Sequence, residues 1–290
     1  MPLSDNMRAA ILMNVAMFAF TANDACMKLV TESLPLFQAI ALRGGVTAAA
    51  LLAIAVWQGA FTVRPVRGDL WRIGWRTLAE VLATLTFLSA LMHMPLATLS
   101  AIMQSLPLAV TLAAALVLRE PVGWRRLTAI GIGFVGVMII IRPGGEGFDR
   151  WSLVGLASVA CVVLRDLATR GLARTVPSSL VAVCAALAVA TMGIAGSFIT
   201  GWQPVGLREL LLILGASLHL IVGYLTVVMV MRVGEIGFVA PFRYMALFWA
   251  ILLGFGIFGT LPDAATLVGG AIVVATGLFT LWRERSRAAA

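Results

Sequence analysis

Apolar residues run along this chain in blocks of about twenty, divided by short polar breaks at Arg, Pro-Gly and Glu clusters. About 20 apolar residues rising 1.5 Å each cross a hydrocarbon core about 30 Å thick. No water reaches the backbone inside that core, so each block must be helical. The pattern predicts ten spans, near residues 8–30, 36–58, 71–93, 96–118, 124–141, 151–171, 178–199, 207–231, 236–259 and 263–282. The breaks at Met94-Pro95 and Arg232–Glu235 are the shortest, and there two spans could be one kinked helix. The first block carries Asp24 and Lys28 near its end and is followed by Glu32 and Pro35 rather than a small-residue cleavage site, so it is expected to stay as the first span.

Composition fixes the class. Of 290 residues, 61% are hydrophobic and 12% charged, and mean hydropathy is +1.02. Soluble domains hold about 45–50% apolar and about 25% charged residues, so the chain is expected to be an integral membrane protein. A net charge of +8 would suit a nucleic-acid partner, but the cations follow topology instead. Arg8, Arg64, Arg67, Arg72, Arg76, Arg119, Arg125, Arg126, Arg170, Arg174, Arg232, Arg283, Arg285 and Arg287 fall on one side, against Arg142, Arg150 and Arg208 on the other. By the positive-inside rule both termini are cytoplasmic, and the expected home is the cell's inner membrane, with the bilayer and not nucleic acid as partner. Cys26, Cys161 and Cys184 lie inside apolar blocks without the spacing of a disulfide framework or zinc site. No metal or cofactor is expected.

The chain matches itself at one offset. "DACMKLVTESLP" lies over "DLATRGLARTVP", which sets Asp24 on Asp166, Lys28 on Arg170 and Pro35 on Pro177. A looser match joins "LREPVGWRRLTAIGIGFVGV" to "FGTLPDAATLVGGAIVVATG". The expected organisation is a first five-span repeat over residues 1–141, a connecting loop over 142–150, and a second five-span repeat over 151–290 with a short cytoplasmic tail. Five is odd, so the second repeat enters the membrane inverted, the arrangement of secondary transporters with a site between the halves.

Charged residues inside the spans supply the candidate chemistry. Asp24 and Lys28 stand one turn apart, acid before base, and Asp166 and Arg170 repeat the pair. The cations suit helix C-termini and can snorkel, while inverted symmetry would set the two pairs at two gates. Glu80 lies roughly 13 Å into the third span, His219 at a comparable depth in the eighth. A polar group at that depth is costly unless it meets another, water or a ligand, or ties helices together. Arg43, Arg165 and Arg243, the last beside Tyr244, suit a carboxylate guest, with Asp24 and Asp166 equally open to them as structural partners. Adjacent Arg165 and Asp166 project about 100° apart, so each is expected to find its partner on another helix. Glu80, Gln104, His219, Tyr244 and Arg165 are the expected substrate pathway. Asp24, Lys28, Asp166, Arg170, Arg43 and Arg243 are gate or ion-pair candidates.

Three motifs point elsewhere and lack context. "GIGFVG" copies a dinucleotide fingerprint inside a span, with no strand before it. "GASLH" resembles an intramembrane serine motif, but Ser217 and His219 are two residues apart and face away from each other on a helix. Catalysis is not expected, and an intramembrane hydrolase is a remote alternative. Without a P-loop or nucleotide-binding domain, gradients or exchange must drive transport. A channel would more naturally be an assembly around a pore.

The segments "NDACMK", "ALRGG", "SLPLAVTLAAALVLREPV" ending near Glu120, "LRDLATR" and "APFRYMALFWAILLGFGIFGTLPD" resemble the drug/metabolite transporter superfamily, specifically ten-span EamA-type carriers. The likeness runs through the whole chain. It departs where many members carry a second glutamate, since Thr260 stands there. The resemblance implies an all-α membrane fold of ten helices as two inverted repeats around a central cavity. It implies export or exchange of small metabolites by alternating access, with amino acids, aromatic ones included, as the first substrate class. Uptake of S-adenosylmethionine is the alternative, and both guests carry an α-amino-acid head. Oligomeric state, direction and coupling ion are not legible.

Overall fold

A computed structural model describes residues 5–63, 65–119, 122–145, 148–173, 175–233 and 235–288. Arg64, Glu120 and Arg174 lie outside the described residues, as do the side chains of Arg232, Arg285 and Arg287. The described chain is helical, with no strand: α1 Asp5–Val30, α2 Leu36–Trp57, α3 Arg67–His93, α4 Leu96–Met103, α5 Leu106–Val117, α6 Trp124–Ile141, α7 Arg150–Arg170, α8 Ser178–Thr200, α9 Leu207–Val233, α10 Ile236–Val239, α11 Met245–Phe258 and α12 Ala264–Ala288. Among the described residues nine helical segments are long and apolar enough to cross a membrane. Besides the four-residue α10, the helix outside that set is α3, which has 27 residues but carries Arg67, Asp69, Arg72, Arg76 and Glu80 in its first half.

Two expected spans are broken. The fourth divides into α4 and α5 at Gln104 and Ser105, just before Pro107 in the first turn of α5. The ninth is α10, a 3-10 segment Ala240–Tyr244 with Pro241 in its first turn, and α11. Proline lacks the N–H a continuing helix needs and its ring crowds the preceding turn, so the axis restarts at each.

Helices pack as antiparallel pairs: α1 with α9, α2 with α8, α3 with α7, and α6 with α12, with α4 lying against α11. Small residues bring them together. Gly193 of α8 faces the Ala41 backbone of α2. Gly136 and Gly269 face each other's carbonyls across α6 and α12, where an added Cβ would stand 2.8 and 2.5 Å from the opposing oxygen. The nucleotide-like "GIGFVG" is thus a packing surface at Gly133 and Gly136, close contact without side-chain bulk.

The two ends of the bundle differ. Around the α1–α2 and α3–α4 turns, Met27, Val30, Leu91, Met94, Leu99 and Ile102 form the fully buried heart of the main core. Toward the arginine-rich end the interior opens. Along one face of α7, Ser158 and Val162 are buried, Asp166 is half-buried and Thr169 is exposed. On α9, Ser217 is 1% exposed and Tyr224, two turns on, 37%. Both helices therefore turn a core face into an accessible one on the way to that end.

Candidate functional site

Six charged groups on four helices, α1, α2, α3 and α7, form two linked clusters. On α3, Glu80 stands one turn after Arg76 and forms an ion pair with it at 3.3 Å. Its other oxygen takes Arg165 Nη1 of α7 at 3.4 Å. Arg165 also grips its neighbour Asp166, with Nη2 2.9 Å and Nε 3.0 Å from the same carboxylate oxygen. The expectation that adjacent Arg165 and Asp166 could not satisfy each other is overturned: the arginine stem is long enough to fold back over the 100° between their Cα–Cβ bonds. One guanidinium thus clasps two carboxylates. The Tyr224 phenol of α9 lies within its electrostatic reach.

The second group sits on α1 and α2. Asn23 donates to Asp24 at 2.9 Å and accepts from Arg43 Nη1 at 3.4 Å. Arg43 is 8% exposed. It feels both Asp24 and Glu80 electrostatically, which links the two groups. Arg43 Nε and, one turn on, Thr47 Oγ1 are buried without a hydrogen-bond partner, as are Nε and Nη1 of Arg76. Three carboxylates and three guanidiniums balance in charge, with donors to spare. Such a cluster can take a zwitterion by partner exchange, carboxylate to guanidinium and cation to carboxylate, without net charge in the membrane.

Lys28 does not join it. No ion pair between Asp24 and Lys28 occurs among the described residues. Lys28 Nζ instead donates to the carbonyls of Leu91 at 2.5 Å and Met94 at 2.9 Å, and lies 5.7 Å from the Phe258 ring centroid. The last carbonyls of α3 lack intrahelical donors and form the negative end of its dipole, so an ammonium is their natural cap. Lys28 thus ties α1 to the end of α3 at the buried end.

The other expected residues scatter. His219 meets α1, not Glu80: its Nδ1 is 2.7 Å from Gly215 O of its own helix, and its ring lies edge-on to Phe18. Phe18 also packs edge-on against Trp249, whose indole donates to Asn14 at 2.8 Å, which makes an aromatic group on α1, α9 and α11. Ser217 bonds the carbonyls of Ile213 and Arg43 rather than His219. Gln104 marks the break between α4 and α5, with 7% exposure. Tyr244 is buried against Gly277 with its hydroxyl unpartnered, while Arg243 and Arg170 are exposed at the surface. Sequence reasoning missed Arg76, counted only as an orientation charge, and Asn23. For Arg76 the signal was available, four residues before Glu80 on the same helix face.

Comparison with known proteins places this geometry. Residues 7–142 match the profile of the EamA-like transporter family. An S-adenosylmethionine uptake transporter of Rickettsia conorii is 24% identical over 93% of this chain and 91% of its own length, and one of Rickettsia bellii 26% over 93% and 92%. A riboflavin transporter of Vibrio cholerae is 28% identical over 74% of each chain. A solved crystal structure superposes with a TM-score of 0.64 at 23% identity, covering 96% of this chain and 98% of that one, and shows the fold alone. These relatives are named for S-adenosylmethionine and riboflavin, where the sequence pointed first to amino acids.

Proposed function

We propose, on the premise that this multi-pass membrane protein carries an EamA-like transporter domain and is a small-molecule transporter, that it is a secondary carrier of a metabolite with an α-amino-acid head, S-adenosylmethionine before free amino acids. The observation that carries this reading is the Arg165 clasp. One guanidinium is shared by Glu80 and Asp166 beside the accessible faces of α7 and α9. A guest carboxylate can claim Arg165 while its ammonium or sulfonium takes a released carboxylate. Riboflavin has no charge to exchange, although the Phe18–Trp249 pair offers any flat ring an edge to pack on.

Alternating access is supported by the packing. Exchanging each helix for its counterpart in the other repeat turns the α1–α9 pair into α7–α3 and α1–α11 into α7–α5, and maps α2–α8 and α6–α12 onto themselves. That is the contact pattern of two similar five-span halves around a two-fold axis. Ten spans, with α3 as the charged one, and both termini at the arginine-rich cytoplasmic end, complete the proposal. In this conformation the arginine-rich end is open and the Lys28 end closed.

The test is uptake into proteoliposomes holding the purified protein, with radiolabelled S-adenosylmethionine, riboflavin and a free amino-acid panel. Saturable S-adenosylmethionine flux that Glu80→Gln reduces is the expected result. Flux of riboflavin alone, or of free amino acids without S-adenosylmethionine, would overturn the substrate assignment.

A further inference from the structure

The linked clusters hold one carboxylate that is in no ion pair. Glu80 is paired with Arg76 and Arg165, and Asp166 with Arg165. Among the described residues Asp24 forms no ion pair and accepts one hydrogen bond, from the neutral amide of Asn23. The two cations nearest to it in the fold or along its helix go elsewhere. Arg43 Nη1 donates to the Asn23 oxygen at 3.4 Å, and Lys28 is engaged by the carbonyls at the end of α3. A carboxylate inside a membrane span with only a neutral partner is costly unless water or a ligand meets it.

Asp24 is half-buried on α1, which packs chiefly on α9, whereas the Arg165 clasp joins α7 to α3. The unpaired carboxylate and the clasp therefore belong to different helix pairs. On the reading that the guest is S-adenosylmethionine, its charges divide in the same way. Carboxylate and ammonium sit on the same carbon, so the head exchanges with Arg165 and a carboxylate released beside it. The sulfonium stands farther along the chain and brings a net positive charge to a cluster whose carboxylates and guanidiniums already balance. It has no N–H or O–H to donate, so charge and dispersion are the attractions open to it. Phe20, one turn before Asp24 on α1, packs on Gly223 of α9, and an alkylated cation is drawn to an aromatic ring as well as to a carboxylate.

We propose that Asp24 takes the sulfonium of the guest and is the residue that distinguishes it from the neutral thioether left when the methyl group is lost.

Equilibrium binding of radiolabelled S-adenosylmethionine and S-adenosylhomocysteine to the purified full-length protein is the test, because the two share the amino-acid head and the nucleoside and differ at the sulfur. The wild type should bind S-adenosylmethionine the more tightly. Asp24→Asn keeps the shape and removes the charge, and should reduce that preference about tenfold. Asp24→Glu restores the charge and should keep most of it, and Arg208→Gln, at an exposed position at the start of α9, should keep all of it. A merely structural role would weaken both compounds in proportion, so an unchanged preference in Asp24→Asn overturns the proposal. Equal binding of the two compounds by the wild type overturns it without any variant having to fold, and leaves the carrier reading intact. Binding of neither compound overturns the substrate reading and the assignment of Asp24 with it.

Discussion

At the scale of single residues, Arg165 and Lys28 do opposite things with similar charge. Arg165 uses a planar fork to hold Glu80 and Asp166 at once. Arg165→Ala therefore leaves two carboxylates without their cation, and Arg165→Lys keeps a charge but loses the fork. A charge-assisted hydrogen bond contributes about 1.5–3 kcal/mol, so the alanine variant should raise the transport KM about ten- to a hundredfold, with lysine between it and wild type. Unchanged KM in the alanine variant would remove Arg165 from the guest's path. Lys28 instead caps α3 through the Leu91 and Met94 carbonyls. Lys28→Met keeps the stem and removes the donor, so the buried end should loosen. A cysteine placed at Met94, 2% exposed in the wild type, should then react faster with a membrane-impermeant maleimide, and an unaltered rate would refute the tie.

At the scale of helices, α6 and α12 are joined along their length and pinned at one end. The Gly136–Gly269 approach leaves no space for a Cβ on either side, so Gly136→Val must push the helices apart, at a cost of about 1–3 kcal/mol for overpacking. Thermal unfolding in detergent reads that loss, and Gly131→Ala, where nothing lies within 4 Å, is its neutral control. At the end of the pair Asp263 caps α12, accepting from Thr266 N at 2.8 Å, and pairs with Arg142 beyond α6. Asp263→Ala should cost about 1 kcal/mol, the usual worth of an N-cap. The Thr266 hydrogen bonds, and then Arg142, hold the Asp263 carboxyl below its ordinary value of 3.8. A carboxylate depressed by folding stabilises fully above its unfolded pKa, and that contribution is lost as pH falls through the folded one. The difference between wild type and Asp263→Ala should therefore be complete at pH 7 and shrink below about pH 4; a difference that grows with acid would contradict the assignment.

At the scale of the whole molecule, the contrast between a closed end and an open one defines the conformation. Cysteines at Thr169 and Tyr224 should label from the arginine-rich side, while one at Val30, fully buried, should stay protected. Saturating substrate should lower labelling at Thr169 if the halves close around the guest, since a ligand shifts a two-state equilibrium only through its differential affinity. Labelling at all three positions regardless of substrate would exclude alternating access between these ends.

Hydrophobic pattern alone determined the helices, their approximate limits and the membrane as solvent, because a bilayer allows an apolar twenty-residue block one backbone solution. The breaks at Gln104 and Tyr244 were less legible, although Pro107 and Pro241 stand in the sequence to explain them. Partner choice was decided by tertiary structure. Glu80 and His219 were both placed on the expected pathway with no partner fixed, and packing set α3 against α7 and α9 against α1, so Glu80 meets Arg165 and His219 meets Phe18. Asp24 and Lys28 share a helix face, yet Asp24 is held by its own neighbour Asn23, which bridges to Arg43 of α2, while Lys28 reaches the end of α3. Long charged side chains choose among neighbours on several helices, and periodicity along one chain carries no information about the rotation that brings those neighbours into reach.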